Sequence, residues 1–352
     1  MERLQEILRK IEPVDEAWSQ KAQARLDDLT KPRGSLGRLE ECARRYVAAA
    51  RTMHPGDLRP MVVVFAADHG VTDEGVSAYP KDVTHQMVLN FLAGGAAINV
   101  LAAEVPAAVQ VVDVGVAHDF VGAAGLIDRK IAWGTENMVL GPAMTRDQAV
   151  QSMAVGAELA AGAIENGCRL LAPGEMGIGN TTAASAVTAV FTGRPVVEVT
   201  GKGTGLDEPG LARKVEVIQR AISVNRPDAD DPLEVLHKVG GFELGAIAGL
   251  ILEAAAARVP VVADGFISTA GALIAHRLHP DVSGYLFAAH RSVEPGHQAA
   301  LSALGLDPLL DLEMRLGEGT GAVLGMMLLK ASLAVLNQMA TFSSAGVSEK
   351  SG

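Results

Sequence analysis

Short aliphatic runs recur along this chain, and each ends in a turn carrying glycine or a charged side chain. Met61–Ala67 (MVVVFAA) ends in Asp68-His69-Gly70, and Val109–Val114 (VQVVDV) ends at Asp113 and Gly115. Arg169–Ala172 leads into GEMGIGN, and a short run at Val196–Val199 precedes Gly201-Lys202-Gly203-Thr204-Gly205. Val259–Ala263 ends in Asp264-Gly265-Phe266, and Gly284–Ala289 ends in His290-Arg291-Ser292. Between them lie helical patterns rich in small residues, such as Thr145–Asn166 with Thr145 as its cap, and Gly241–Ala257. Only Ile127–Glu136 shows no clear pattern. Continuously apolar strands alternating with helices predict an α/β fold with a parallel sheet flanked by helices on both faces. In such sheets, ligands bind at the carboxyl ends of the strands.

Composition narrows the class further. Of 352 residues, 49% are hydrophobic but only 4% aromatic, so the core must be aliphatic and closely packed. The net charge of −11 argues against nucleic acid as a partner. Cys42 and Cys168 lack metal or redox spacing and read as small buried hydrophobes. The N-terminus is charged and amphipathic, and no run is expected to span a bilayer: Glu253 and Lys330 interrupt the longest apolar stretches. A cytoplasmic protein without membrane contact is the expectation.

The stretch Leu170–Ser185 (LLAPGEMGIGNTTAAS) reads as a buried strand stopped at Pro173-Gly174, a glycine-rich turn, then a helix start. Gly177 and Gly179 let a ligand approach the main chain; Asn180, Thr181 and Thr182 are cap-type residues. A helix start of this kind suits a phosphate or carboxylate. It is neither GxxxxGK[ST] nor GxGxxG, and tight βα connections need glycine anyway, so the turn alone leaves ligand binding open. A second glycine turn, Gly201–Gly205, precedes a helix over Pro209–Ser223 that carries Arg213 and Lys214.

The remaining chemistry is carboxylate chemistry. No metal-ligand spacing and no nucleophile elbow are present. Glu175 sits at the lip of an anion-type turn, an odd place for an acid. Glu318, between Gly317 and Gly319 and before a helix over Ala322–Met339, is placed for partial burial, which would make it a better base. A capping acid at a helix start is the plainer reading and, on the residues alone, has the edge. Together the inventory fits transfer chemistry on a phosphorylated small molecule, with a carboxylate base and no obligatory metal or cofactor.

At the ends of the chain, residues 1–28 read as helices broken at Pro13. Thr30–Glu40 reads as a solvated, locally basic turn with a helix cap at Ser35. These terminal pieces can pack together as a small subdomain or serve as a dimer arm. The last residues, SSAGVSEKSG, look disordered.

Seven segments then resemble a known family: KPRGSLGRLE (31–40), FAADHGVTDEGVSAYPKDVTHQMVLNFLAGGAAINVLA (65–102), GEMGIGNTTAASA (174–186), GKGTGLDE (201–208), DGFISTAGAL (264–273), SGYLFAAHRSVEPGHQAAL (283–301) and MRLGEGTGA (314–322). In this order they are similar to the nicotinate-nucleotide–dimethylbenzimidazole phosphoribosyltransferases, the CobT family. The resemblance implies transfer of the 5-phosphoribosyl group of nicotinate mononucleotide to 5,6-dimethylbenzimidazole with inversion. It also implies a homodimer. It gives a Rossmann-like large domain over 29–303, a small helical domain from 1–28 plus 304–340, and a flexible tail over 341–352. Glu318 matches the family's general base. Ser77, Tyr79, Gln86, Glu175, Met176, Ser292 and Leu316 fall in the region of the benzimidazole pocket. Gly177, Gly179, Asn180, Thr181, Gly201, Gly203 and Lys214 would hold the phosphoribosyl group. A different acceptor base (benzimidazole, purine or phenol) and a non-enzymatic nucleotide sensor are the competing readings.

Overall fold

A computed structural model describes residues 1–348. Its centre is one parallel sheet of six strands: β1 Met61–Ala67, β2 Ala108–Gly115, β3 Leu126–Asp128, β4 Leu171–Met176, β5 Val261–Ala263 and β6 Leu286–Ala288. Their order across the sheet is β3-β2-β1-β4-β5-β6. The order reverses between β1 and β4, so the crossovers on either side diverge and leave a crevice above those two strands.

β1 shows why the sheet is covered twice. Val63, Phe65 and Ala67 pack into one core with the helices Arg146–Glu165, Phe242–Ala256 and Phe266–Leu278. Val62, Val64 and Ala66 point the other way, toward the helices Arg38–Ala50, Ala97–Glu104 and Thr320–Gln338. With few aromatics, density comes from backbone approach. A Cβ on Gly156 would overlap the Ala246 carbonyl, and one on Gly249 would overlap that of Met153, so Arg146–Glu165 and Phe242–Ala256 meet almost main chain to main chain.

Several sequence expectations change. The strand at 169–172 does not stop at Pro173-Gly174 but runs on to Met176. Leu171 N–H donates to Pro260 on the β5 side, and strand alternation turns Pro173 the same way. Pairing with β5 consists of Leu171↔Val261 alone, so the missing N–H of Pro173 falls where no ladder continues. Val196–Val199 is a helical turn, not a strand. Pro195 precedes it, Thr200 Oγ1 donates back to the Val196 carbonyl, and only Val199 is buried, so packing overrides β propensity. The unpatterned stretch begins inside β3, and the helix Pro232–Val239 lies where no element was expected.

The helix after Thr30 starts at Arg38 with Gly37, not Ser35, as its cap, because Gly37 takes the positive φ the entry needs. Lys31 is buried rather than solvated, paired with Glu40 at 2.8 Å. Residues 341–345 of the expected flexible tail form a capped helical turn, with Thr341 bridging Leu29; residues 349–352 lie outside the described part. Two stretches, Val83–Glu104 and Thr320–Gln338, reach the length and hydropathy of a membrane span, which corrects the expectation that none would. The first is broken into the helices Val83–Leu92 and Ala97–Glu104. The second packs on the sheet through Met326, Leu329 and Leu333, with Lys330 Nζ bonded to the Val105 carbonyl.

Candidate active site

The crevice above β1 and β4 opens into a cavity of about 600 Å³. Much of its lining comes from strand ends: Glu175–Ile178 at the end of β4, Gly265–Ser268 after β5, and His290 and Ser292 after β6, with Arg315–Glu318 ahead of the last long helix and Tyr79, Val83, Met87 and Gly203 closing the other sides. A volume of this size suits small-molecule ligands.

One end has features that suit an anion. Gly177 has no Cβ because one would overlap the Ala67 carbonyl. Gly179, at φ 94°, is the cap of the helix Asn180–Thr192, whose first turn therefore faces the cavity. Lys214 is buried and donates to Thr181 Oγ1 at 2.7 Å, and burial pulls its ammonium down to about 8. Glu294 accepts from the Gly203 amide at 3.0 Å, and Arg315 donates to the Gly203 carbonyl at 3.0 Å, so the second glycine turn is held from both sides. Thr204 carries the fastening across to the lip, accepting from the Ala78 amide at 3.4 Å and lying 3.3 Å from the Ser77 hydroxyl.

The other end holds carboxylates. Glu318 is buried at 5% exposure with φ 64°, between two glycines that also have positive φ. Its Oε2 accepts from the Ile98 amide at 3.1 Å, in the first turn of the helix Ala97–Glu104. Burial raises Glu318 above the usual carboxylate range; the Ile98 amide opposes the shift and the charge of Asp264 adds to it. Glu175 lies beside it, packed on the α-carbon of Gly317 and accepting from Asn180 Nδ2. Burial, then the charges of Asp264 and Glu243, push Glu175 up to about 8. Met176, Val83, Met87, Ile178 and Phe266 add apolar surface. A basic carboxylate beside apolar walls, facing an anion cradle, can take a proton from a flat base while a phosphorylated partner is held in place.

A family model described as phosphoribosyltransferase matches residues 11–347. The chain belongs to this phosphoribosyltransferase family. Relatives named nicotinate-nucleotide–dimethylbenzimidazole phosphoribosyltransferase include the Geobacter metallireducens protein, 58% identical over 98% of both chains, and the Roseiflexus protein, 57% identical over 99% of both. A crystal structure of the enzyme of that name from Thermus thermophilus is 51% identical, with a TM-score of 0.90 over 96% of this chain and 100% of that one.

Against this phosphoribosyltransferase frame, the cavity gathers most of the residues singled out from the sequence. Tyr79, Glu175, Met176, Gly177, Asn180, Thr181, Gly203, Ser292, Leu316 and Glu318 all line it. Gly179 and Lys214 lie directly behind that wall, and Gly201 packs against Glu294. Ser77 stands at the rim. Gln86 is exposed and is not in the lining; its neighbour Met87 is. Asp264, His290 and Glu294 were not singled out for the site, although each follows β5 or β6 in a position where strand-end chemistry was visible. His69 was visible at the end of β1, but its partner Glu243, hydrogen-bonded to it at 2.9 Å beneath the Gly177–Gly179 turn, lies 174 residues away and was not singled out. Among the described residues no three His, Cys, Asp or Glu side chains converge to hold a metal ion.

Proposed function

We propose that this chain transfers the 5-phosphoribosyl group of nicotinate mononucleotide to 5,6-dimethylbenzimidazole, giving α-ribazole 5′-phosphate and nicotinate. Glu318 carries the reading: a buried carboxylate of raised basicity in the same cavity as a glycine-rich helix start backed by Lys214. The leaving nicotinate is a pyridinium in the substrate and departs neutral at nitrogen, so it needs no acid. The incoming benzimidazole attacks C1′ through one nitrogen as the C1′–nicotinate bond breaks, and its other nitrogen gives its proton to Glu318. Attack from the face opposite the leaving base inverts C1′. The phosphate sits against the first turn of Asn180–Thr192 and Gly203, with Lys214 supplying charge. Met176, Tyr79 and Leu316 cover the acceptor, while Ser292 and Glu175 face it. These contacts are mostly apolar, and such a pocket discriminates weakly between similar flat bases.

The enzyme works as a homodimer in the cytoplasm. Leu89, Val100 and Met327 are 46%, 60% and 44% exposed on the helices Val83–Leu92, Ala97–Glu104 and Thr320–Gln338, which suits an apolar interface. Both cysteines are free thiols, which suits a reducing compartment.

The test is a mass-resolved product assay with nicotinate mononucleotide and equal amounts of dimethylbenzimidazole, benzimidazole, adenine and p-cresol. α-Ribazole phosphate should dominate. A different dominant glycoside would move the acceptor and keep the chemistry. No product from any acceptor would sink the transferase reading.

A further inference from the structure

Glu318 occupies backbone space that a glutamate disfavours. Gly317, Glu318 and Gly319 are successive left-handed residues at φ 93°, 64° and 93°. For a side chain with a Cβ this conformation is strained, and it persists only where the surroundings enforce it. Thr320 holds one side, its amide and hydroxyl both donating to the Gly317 carbonyl, at 3.0 and 2.8 Å. Asp264, at the end of β5, holds the other. Its Oδ2 accepts from the Gly319 amide at 3.1 Å and its Oδ1 from the Ala322 amide at 2.8 Å. The Gly319 amide belongs to the peptide immediately after Glu318, whose orientation sets where the glutamate side chain stands. Asp264 is 2% exposed, and the His290 ring lies 3.9 Å from its Oδ1. Gly321 makes room for that ring, since a Cβ there would overlap it.

We propose that Asp264 is a positioning residue: by gripping the Gly319 and Ala322 amides, it fixes the peptide after Glu318 and so holds the Glu318 carboxylate in its reactive place. This rests on the reading of Glu318 as the base. The same carboxylate has an electrostatic effect, because its charge adds to burial in raising Glu318. The other charged groups around Glu318 are few. Glu175 comes from β4 with Glu243 and His69 behind it, and His290 lies beyond Asp264. Arg315 is engaged with the Gly203 carbonyl, and Glu294 and Lys214 sit at the phosphate end.

The experiment uses the full chain with both substrates and follows kcat, each KM and the pH profile of kcat. Asp264→Asn keeps one acceptor, turns an NH₂ group toward the other amide, and carries no charge. We expect kcat to fall on the order of 10- to 100-fold with the KM for nicotinate mononucleotide unchanged. The acid limb of the kcat profile should move to lower pH, because the charge that lifted Glu318 is gone. An unmoved acid limb, or a change confined to KM, would reduce Asp264 to a fold support and overturn the proposal. Should circular dichroism show that this variant does not fold, His290→Gln is read instead. His290 opposes the burial that raises Asp264 and so favours its charged form; without it Asp264 moves toward neutral, the acid limb should shift to lower pH as in Asp264→Asn, and a limb that stays put overturns the proposal. Glu318→Gln separates the two ideas. Near wild-type turnover there sinks the base itself, whereas a dead Glu318→Gln beside an unaffected Asp264→Asn sinks only the positioning role.

Discussion

Burial shifts two side chains at opposite ends of the cavity toward the same pH from opposite directions. Burial pulls Lys214 down to about 8 and pushes Glu175 up to about 8. In the place proposed for Lys214 at the substrate phosphate, the charged form is the one that binds. Affinity for nicotinate mononucleotide should therefore fall as pH rises through about 8, and Lys214→Met should bind weakly with that dependence gone. Isothermal titration with the nucleotide alone checks this; an unchanged pH dependence in Lys214→Met would remove Lys214 from the phosphate site. For Glu175 the native state holds a proton that the unfolded chain releases above its ordinary value of 4.5. Its contribution is fully present below that value and is lost as pH rises through about 8. Chemical denaturation of the wild type should show stability falling across that window, by on the order of 5 kcal/mol from this group. Glu175→Gln, permanently neutral, should flatten the slope. A slope as steep as that of the wild type would mean the proton sits elsewhere in the cluster.

The helix pair Arg146–Glu165 and Phe242–Ala256 shows what the low aromatic content requires. Gly156 and Gly249 let the two backbones touch, so Gly249→Ala should force the helices apart and destabilise by about 1–3 kcal/mol. Turnover per folded molecule should be unchanged, since neither helix lines the cavity; thermal unfolding and active-site-normalised rates decide it. These elements were legible in the sequence because apolar runs, caps such as Thr145 and Gly/Ala-rich patterns are local signals. Local signals mislead where a neighbouring cap or a distant strand decides the outcome. Val196–Val199 has strand-like residues but packs as a turn of helix, and Pro173 looks like a stop until the shortness of β5 is known. The site divides in the same way. Glu175, Glu318 and the glycine turns announce themselves by type and setting. Asp264 matters through amides 55 and 58 residues away, and His69 through Glu243.

At the scale of the whole molecule the two termini close on one another. Arg25 Nη2 donates to the Met339 carbonyl at 3.0 Å, the Thr30 amide to Ala340 at 3.0 Å, and the Phe342 amide to Asp28 at 3.1 Å. We propose that 1–28 and 304–340 form one helical unit beside an α/β domain of 29–303, a grouping that the Arg25–Met339 contact supports. That unit is not separate from catalysis. The helix Thr320–Gln338 begins just after Glu318 and packs against Ala97–Glu104, whose Ile98 amide holds the Glu318 carboxylate. Its outer surface carries exposed Met327, with Val100 exposed on the neighbouring helix. If a second copy covers this face, the elements that hold the base are stiffened by association. Sedimentation velocity should give twice the chain mass for the wild type. Val100→Glu with Met327→Glu should give the single-chain mass, and kcat should drop with it although no cavity residue has changed. A monomeric wild type would remove the dimer, and a monomeric variant with full kcat would keep the interface but detach it from the chemistry.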